Sequence, residues 1–155
     1  MPVVQLSLSG FCAICVLAIA AITGPALHAV DVITIHATVP TATETGTQPG
    51  RFTISRSGSA GALTVFLDSS TGTATPGGDY TAIPASVVIP DGVLTLAVSV
   101  VPVQDGSAEG GESVVVAIQN VSDNSYIVGN PFSALVTIAD DDMTASVRVP
   151  QLLSY

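Results

Sequence analysis

Leu94-Thr95-Leu96-Ala97-Val98-Ser99-Val100 alternates branched apolar residues with small or polar ones along its whole length. A period of two belongs to a strand that buries one face and shows the other to water. It turns Leu94, Leu96, Val98 and Val100 inward and Thr95, Ala97 and Ser99 outward. Just upstream, Pro90-Asp91-Gly92 supplies a tight turn out of an earlier strand at 85–90.

The same period recurs on both sides. It predicts strands at 31–39 (Ile33, Ile35, Ala37 and Val39 inward), 51–56 (Phe52, Ile54) and 62–67 (Leu63, Val65, Leu67). Further along it predicts strands at 113–119 (Val114, Val116, Ile118) and 133–139 (Ala134, Val136, Ile138). Seven short alternating strands with turn residues between them predict an all-β fold, an immunoglobulin-like β-sandwich of about seven antiparallel strands. With 155 residues, 48% hydrophobic and only 10% charged, the chain has the length and composition of one domain with its own core.

An apolar signal segment precedes the sandwich. Phe11 to Ile22 is uncharged and is followed by Thr23-Gly24-Pro25, a helix-breaking patch, and then Ala26-Leu27-His28-Ala29. This reads as a signal peptide over 1–29, cut after Ala29 or Ala26, and it is short for a membrane span. The domain proper then covers 30–142, with a tail at 143–155. Cys12 and Cys15 both fall inside the apolar run, where they serve as small hydrophobes. The mature chain would keep no cysteine and no disulfide. An exported location is expected: secreted, periplasmic or on the cell surface.

Charge is sparse and one-sided. Twelve Asp and Glu face three basic residues, for a net charge of -9. Such a balance argues against nucleic acid, which needs a basic face, and against an anionic membrane surface. If consecutive strands reverse direction, every second connection lies at the same pole. That rule gathers Glu44, Asp68, Asp79, Asp105, Glu109, Glu112, Asp140, Asp141 and Asp142 at one end. Asp31, Asp91 and Asp123 go to the other. Two carboxylates in contact repel by about 4 kcal/mol at an effective dielectric near 20. Several such pairs would consume much of a domain's stability of about 5–15 kcal/mol. A hard cation among the oxygens removes the conflict. Calcium accepts many oxygens in flexible geometry, magnesium is stricter, and zinc prefers His or Cys.

Three motifs resemble one family. Gly72-Thr73-Ala74-Thr75-Pro76-Gly77-Gly78-Asp79-Tyr80, the Asp105-x3-Glu109-x2-Glu112 block and Val136-Thr137-Ile138-Ala139-Asp140-Asp141-Asp142 are similar in order and spacing to the Calx-beta domain. The resemblance spans about 31–142. It implies an immunoglobulin-like sandwich of the kind found in exchanger regulatory loops, an integrin subunit and bacterial surface proteins, with calcium held at one pole in the binding members. Carried over by position, it implies Glu44, Asp79, Asp105, Glu109, Glu112, Asp140, Asp141 and Asp142 as metal ligands or near-ligands. Gln104 and Gly110-Gly111 stand where acid-rich members often carry acids, so one or two calcium ions and weaker binding are expected. Asp68 lies outside the matching motif and reads as a turn residue after the third strand.

Catalysis finds no foothold. His36 is on the outward parity of its strand, and no Ser/His/Asp set can be assembled around it. Two non-enzymatic readings remain: a calcium-rigidified spacer or adhesion module, or a self-standing binder of extracellular or surface proteins that acts through loops or an open edge. The tail, with Thr144-Ala145-Ser146-Val147-Arg148-Val149, reads as a frayed terminus, the start of a further tandem domain, or a strand for pairing with another chain. Arg51 is expected to pair with a carboxylate at the acidic pole. Tyr80 is expected to bury its ring and bond its hydroxyl locally.

Overall fold

The computed structural model describes residues 29–45 and 48–142. The signal peptide expected over 1–29, apart from Ala29, and the tail over 143–155 lie outside the described residues. All seven expected strands are present: β1 (Asp31–Val39), β3 (Gly50–Arg56), β4 (Leu63–Gly72), β5 (Ser86–Ile89), β6 (Thr95–Val100), β7 (Glu112–Ile118) and β9 (Ser133–Ala139). Two three-residue strands join them, β2 (Thr41–Thr43) and β8 (Tyr126–Val128). They pack as two sheets, β6-β3-β1-β8 and β2-β9-β7-β4-β5.

Among the described strands, the short ones are the parallel partners, β8 with β1 and β2 with β9. Three residues are too few to display a period, so neither was visible in the sequence pattern. β2 exists because the first strand changes sheet. The register slips between Ala37 and Val39, and Pro40 follows, with a carbonyl that accepts the Thr137 amide at 2.9 Å. This crossing also explains why Val39, expected inside, is exposed. Leu94 is likewise exposed, because β6 begins one residue after it.

The core is a layer of branched aliphatics between the sheets. Ile33, Ile35, Phe52, Ile54, Val65 and Val116 are fully buried. Each such side chain contributes about 1.5–3 kcal/mol relative to leaving it in water. Tyr80 belongs to this layer, with its ring buried.

Strand directions place the poles. β1 runs antiparallel to β3 and β3 to β6, while β4 and β9 both run antiparallel to β7. β2, β4, β6 and β9 therefore end at the same pole, where the acidic loops begin. The opposite pole is closed by Arg56, the buried charged residue. Its guanidinium donates to Val93 O at 2.8 Å, Gly61 O at 2.8 Å, Ser59 O at 2.7 Å and Pro90 O at 3.1 Å. Asp31 lies 3.7 Å from it and accepts the Gly58 amide at 2.6 Å. Asp91 accepts the Gly61 amide at 2.7 Å.

Two sequence expectations about charge fail. Asp68 is not at the acidic pole, because β4 continues to Gly72 and leaves Asp68 within the strand, beside a register shift. Arg51 is exposed and forms no ion pair among the described residues; alternation along β3 turns it outward while Arg56 turns in.

Candidate metal centre

Four chain segments build the acidic pole. The β2–β9 ladder sets Thr43 opposite Ala139, and the Glu44 amide donates to Ala139 O at 3.2 Å. Glu44 thus arrives beside Asp140. The β7–β9 ladder sets Glu112 opposite Ile138, two residues before Asp140. Asp79 comes from the loop after β4. There Gly72 has φ 131°, and a Cβ on it would lie 2.4 Å from Ser113 O, so only glycine lets the chain turn this close to β7. The turn is then locked by Asp79 accepting the Thr75 amide, and the loop is tied to the next segment by Val103 N donating to Asp79 O at 2.9 Å.

The carboxylates converge in two groups. Glu44, Asp140, Asp141 and Asp142 each bring an oxygen within 4.8 Å of the others, and Asp79, Glu109 and Glu112 do the same. Seven of the eight residues named from sequence are therefore gathered. Asp105 falls outside both groups, with its carboxylate turned to the Ser107 amide at 2.7 Å. Its charge still raises the pKa of Glu44, Glu109 and Asp142.

Within the first group the members differ in role. Asp140 Oδ2 accepts the amides of Glu109 and Gly110, both at 3.0 Å, and Oδ1 accepts the Asp142 amide at 3.0 Å. Gly110 has φ 84°, the left-handed conformation that turns successive amides toward one anion. These bonds hold Asp140 below the usual carboxylate range and bind the 105–111 loop to the end of β9. Asp141 is held low by the Thr45 hydroxyl and by Gln104, whose amide donates to Asp141 Oδ1 at 3.1 Å. Gln104 was noted in the sequence only as a missing acid, and its service as a donor to Asp141 was not foreseen.

The remaining carboxylates are not so provided for. Desolvation, then the charges of Asp141, Asp140 and Asp105, raise Asp142, and its Oδ2 is buried without a hydrogen-bond partner among the described residues. Desolvation also leads the rise at Glu44 and Glu109, followed by neighbouring carboxylates. Glu112 is pushed up to about 7 by desolvation, by a hydrogen bond with Asp79 and by the charges of Asp79, Glu109 and Glu44. An all-oxygen, all-anionic donor set with an orphaned inward oxygen suits a hard divalent cation. The residues present fit that group. His36 is exposed in the middle of β1, and no cysteine occurs among the described residues, so nothing there suits zinc.

A β-sandwich whose loop carboxylates meet at one pole is the class that this geometry defines. The Calx-beta domain model matches residues 28–142, and the chain belongs to that family. Among solved structures it is similar to CBD12 from CALX1.2, with 23% identity and a TM-score of 0.58 over 72% of this chain and 45% of that one. It is similar to the calcium binding domain CBD12 of CALX1.1, with 23% identity and a TM-score of 0.57 over 71% and 44%. It is also similar to the apo-form Calx CBD1 domain, with 23% identity and a TM-score of 0.57, over 74% of this chain and 100% of that one. The chain thus spans just under half of each CBD12 chain and the whole of CBD1. At this identity the likeness is one of fold. Among curated proteins, none matches the sequence.

Proposed function

We propose that the domain is an exported calcium-binding module with a structural, adhesion or spacer role. Asp142 Oδ2 carries this reading: a buried carboxylate oxygen with no partner among the described residues, grouped with three further acids. Leaving it unpaired is costly, and a cation would satisfy it. Glu44, Asp141 and Asp142 would hold one ion, and Asp79, Glu109 and Glu112 a second, with calcium supplying the positive charge that lets their loops close together. Asp140 positions the first group through its three amide bonds. Both ions join loops to strand ends, so binding would stiffen the pole rather than open a cleft. That suits a spacer.

Thermal melts in calcium, in magnesium and in chelator test the proposal. Calcium at about a hundred times its dissociation constant should stabilise the fold by about 2.7 kcal/mol, and magnesium by less. Superimposable melts in all three solutions would reject it.

A further inference from the structure

Among the described residues, the aromatic side chains of Phe52, Tyr80 and Tyr126 are buried, and only Phe66 and Phe132 are exposed, at 42% and 54%. Both stand at the end of β7. The Gln119 amide donates to Phe66 O at 2.9 Å, and the Ile118 amide donates to Phe132 O at 2.8 Å. β4 and the segment entering β9 thus flank β7 on its two sides. Neighbouring strands lie about 4.8 Å apart, so the main chains of the two Phe residues are about 10 Å from each other. The Tyr126 hydroxyl fixes this arrangement from within. It donates to Gln119 O at 2.7 Å and accepts the Phe66 amide at 3.2 Å.

The two rings line adjoining clefts. Phe132 borders one of about 650 Å³, together with Asp68, Gln119 and Asn120. Phe66 borders one of about 350 Å³, which Asn120 also lines. Gln119 and Asn120 are exposed, and Asp68 is half-buried. The main chain of Gln119 is already spent on Phe66 and Tyr126, so its carboxamide is what it offers to a ligand. Pairs of apolar rings beside convergent polar groups are the usual make-up of a small-molecule site.

The geometry points to a binding site for a neutral oligosaccharide, with one pyranose on Phe132, the next on Phe66 and Asn120 between them. Sugar C–H bonds carry partial positive charge and settle on the negative face of an aromatic ring. The carboxamides of Gln119 and Asn120 both donate and accept, as sugar hydroxyls do, and the Asp68 carboxylate accepts from them. An apolar peptide would strip these polar groups of water and leave them without partners. An anionic chain would meet Asp68 and Asp123, with no basic side chain among the residues lining either cleft. A neutral sugar answers the rings and the polar groups together. The site lies at the far end of β7 from Glu112, so it works independently of calcium.

Native electrophoresis of the full chain through gels containing xylan, hydroxyethylcellulose, galactomannan or polygalacturonate tests the inference. At least one of the three neutral polymers should retard the protein, and polygalacturonate should not. Phe66→Ala and Phe132→Ala should each weaken the retardation about tenfold. Phe132→Trp should preserve or strengthen it, which a merely structural role for the ring would not produce. Both rings are exposed, so these variants should melt with the wild type. Chelator should leave the retardation unchanged, which separates this result from the calcium reading. The inference is overturned if no neutral polymer retards the wild type, if retardation survives loss of both rings or vanishes in chelator, or if polygalacturonate retards the protein equally.

Discussion

The two poles of this sandwich handle charge in opposite ways. At one, Arg56 is buried but answered within the chain, by four backbone carbonyls and by Asp31. At the other, acids from four segments crowd together, and only some are answered: Asp79, Asp105 and Asp140 by backbone amides, and Asp141 by the Thr45 hydroxyl and the Gln104 side chain. Asp142, Glu44, Glu109 and Glu112 are all pushed toward the proton. A pole that satisfies itself is part of the scaffold. One that does not is waiting for a ligand.

The sharpest way to break this comparison is at Arg56. Arg56→Met keeps much of the volume but strands the Asp31 charge and four carbonyl oxygens. Removing one partner of a buried pair costs about 3–5 kcal/mol. Urea denaturation should show that loss equally in calcium and in chelator, because the residue serves the pole without carboxylate clusters. A loss confined to the calcium-loaded domain would mean that the poles are coupled.

Next in size is the response of the acidic pole itself. Asp142→Asn with Glu112→Gln should abolish the calcium shift of about 2.7 kcal/mol expected near saturation. The same pair should raise the melting point in chelator, since the oxygens that bind metal are those that repel without it. A double variant that melts lower in chelator would show the carboxylates to be structural in their own right.

The proton provides a gentler probe. Glu112 has an ordinary value of 4.5 and sits at about 7 in the fold, so between those values the folded state holds a proton that the unfolded chain releases. Stability of the metal-free domain should therefore fall as pH rises through that window. The raised values of Glu44, Glu109 and Asp142 act with the same sign. Asp140 and Asp141 act oppositely: their depressed values stabilise above the ordinary 3.8 and lose that contribution as acid titrates them in the fold. Chelator melts across pH should peak on the acid side of neutrality, and Glu112→Gln should flatten the slope above the peak. A slope unchanged by that substitution would move the raised group elsewhere.

Much of this contrast was legible in the residues. The period of two found all seven principal strands, and direction counting then sent Glu44, Asp79, Glu109, Glu112 and the Asp140–Asp142 run to one end. The unseen features were those that a period cannot encode. β2 and β8 are too short to alternate, and the sheet crossing at Pro40 exposes Val39 against its parity. Gln104 looked like a gap in the acidic pattern because spacing shows where a residue falls, while its bond to Asp141 depends on how two loops meet. Arg56 escaped attention because the strand pattern gives no warning that an inward cation will find four carbonyls.

The smallest predicted effect tests the boundary of the acidic pole. Counting connections placed Asp68 there, whereas β4 runs on to Gly72 and leaves Asp68 bonded to the Ser70 amide at 2.8 Å. The Ser70 hydroxyl, and then this amide, hold its carboxyl below the ordinary 3.8, so its contribution is present at neutral pH and vanishes as acid titrates it in the fold. Asn keeps a carbonyl that can accept from Ser70. Asp68→Asn should therefore lower the neutral-pH melting point only slightly and leave the calcium shift intact, whereas Asp142→Asn should reduce that shift. Isothermal titration with calcium separates the two cases. A weakened calcium isotherm for Asp68→Asn would extend the site down β4, and the comparison of poles would have to be redrawn with the strand included.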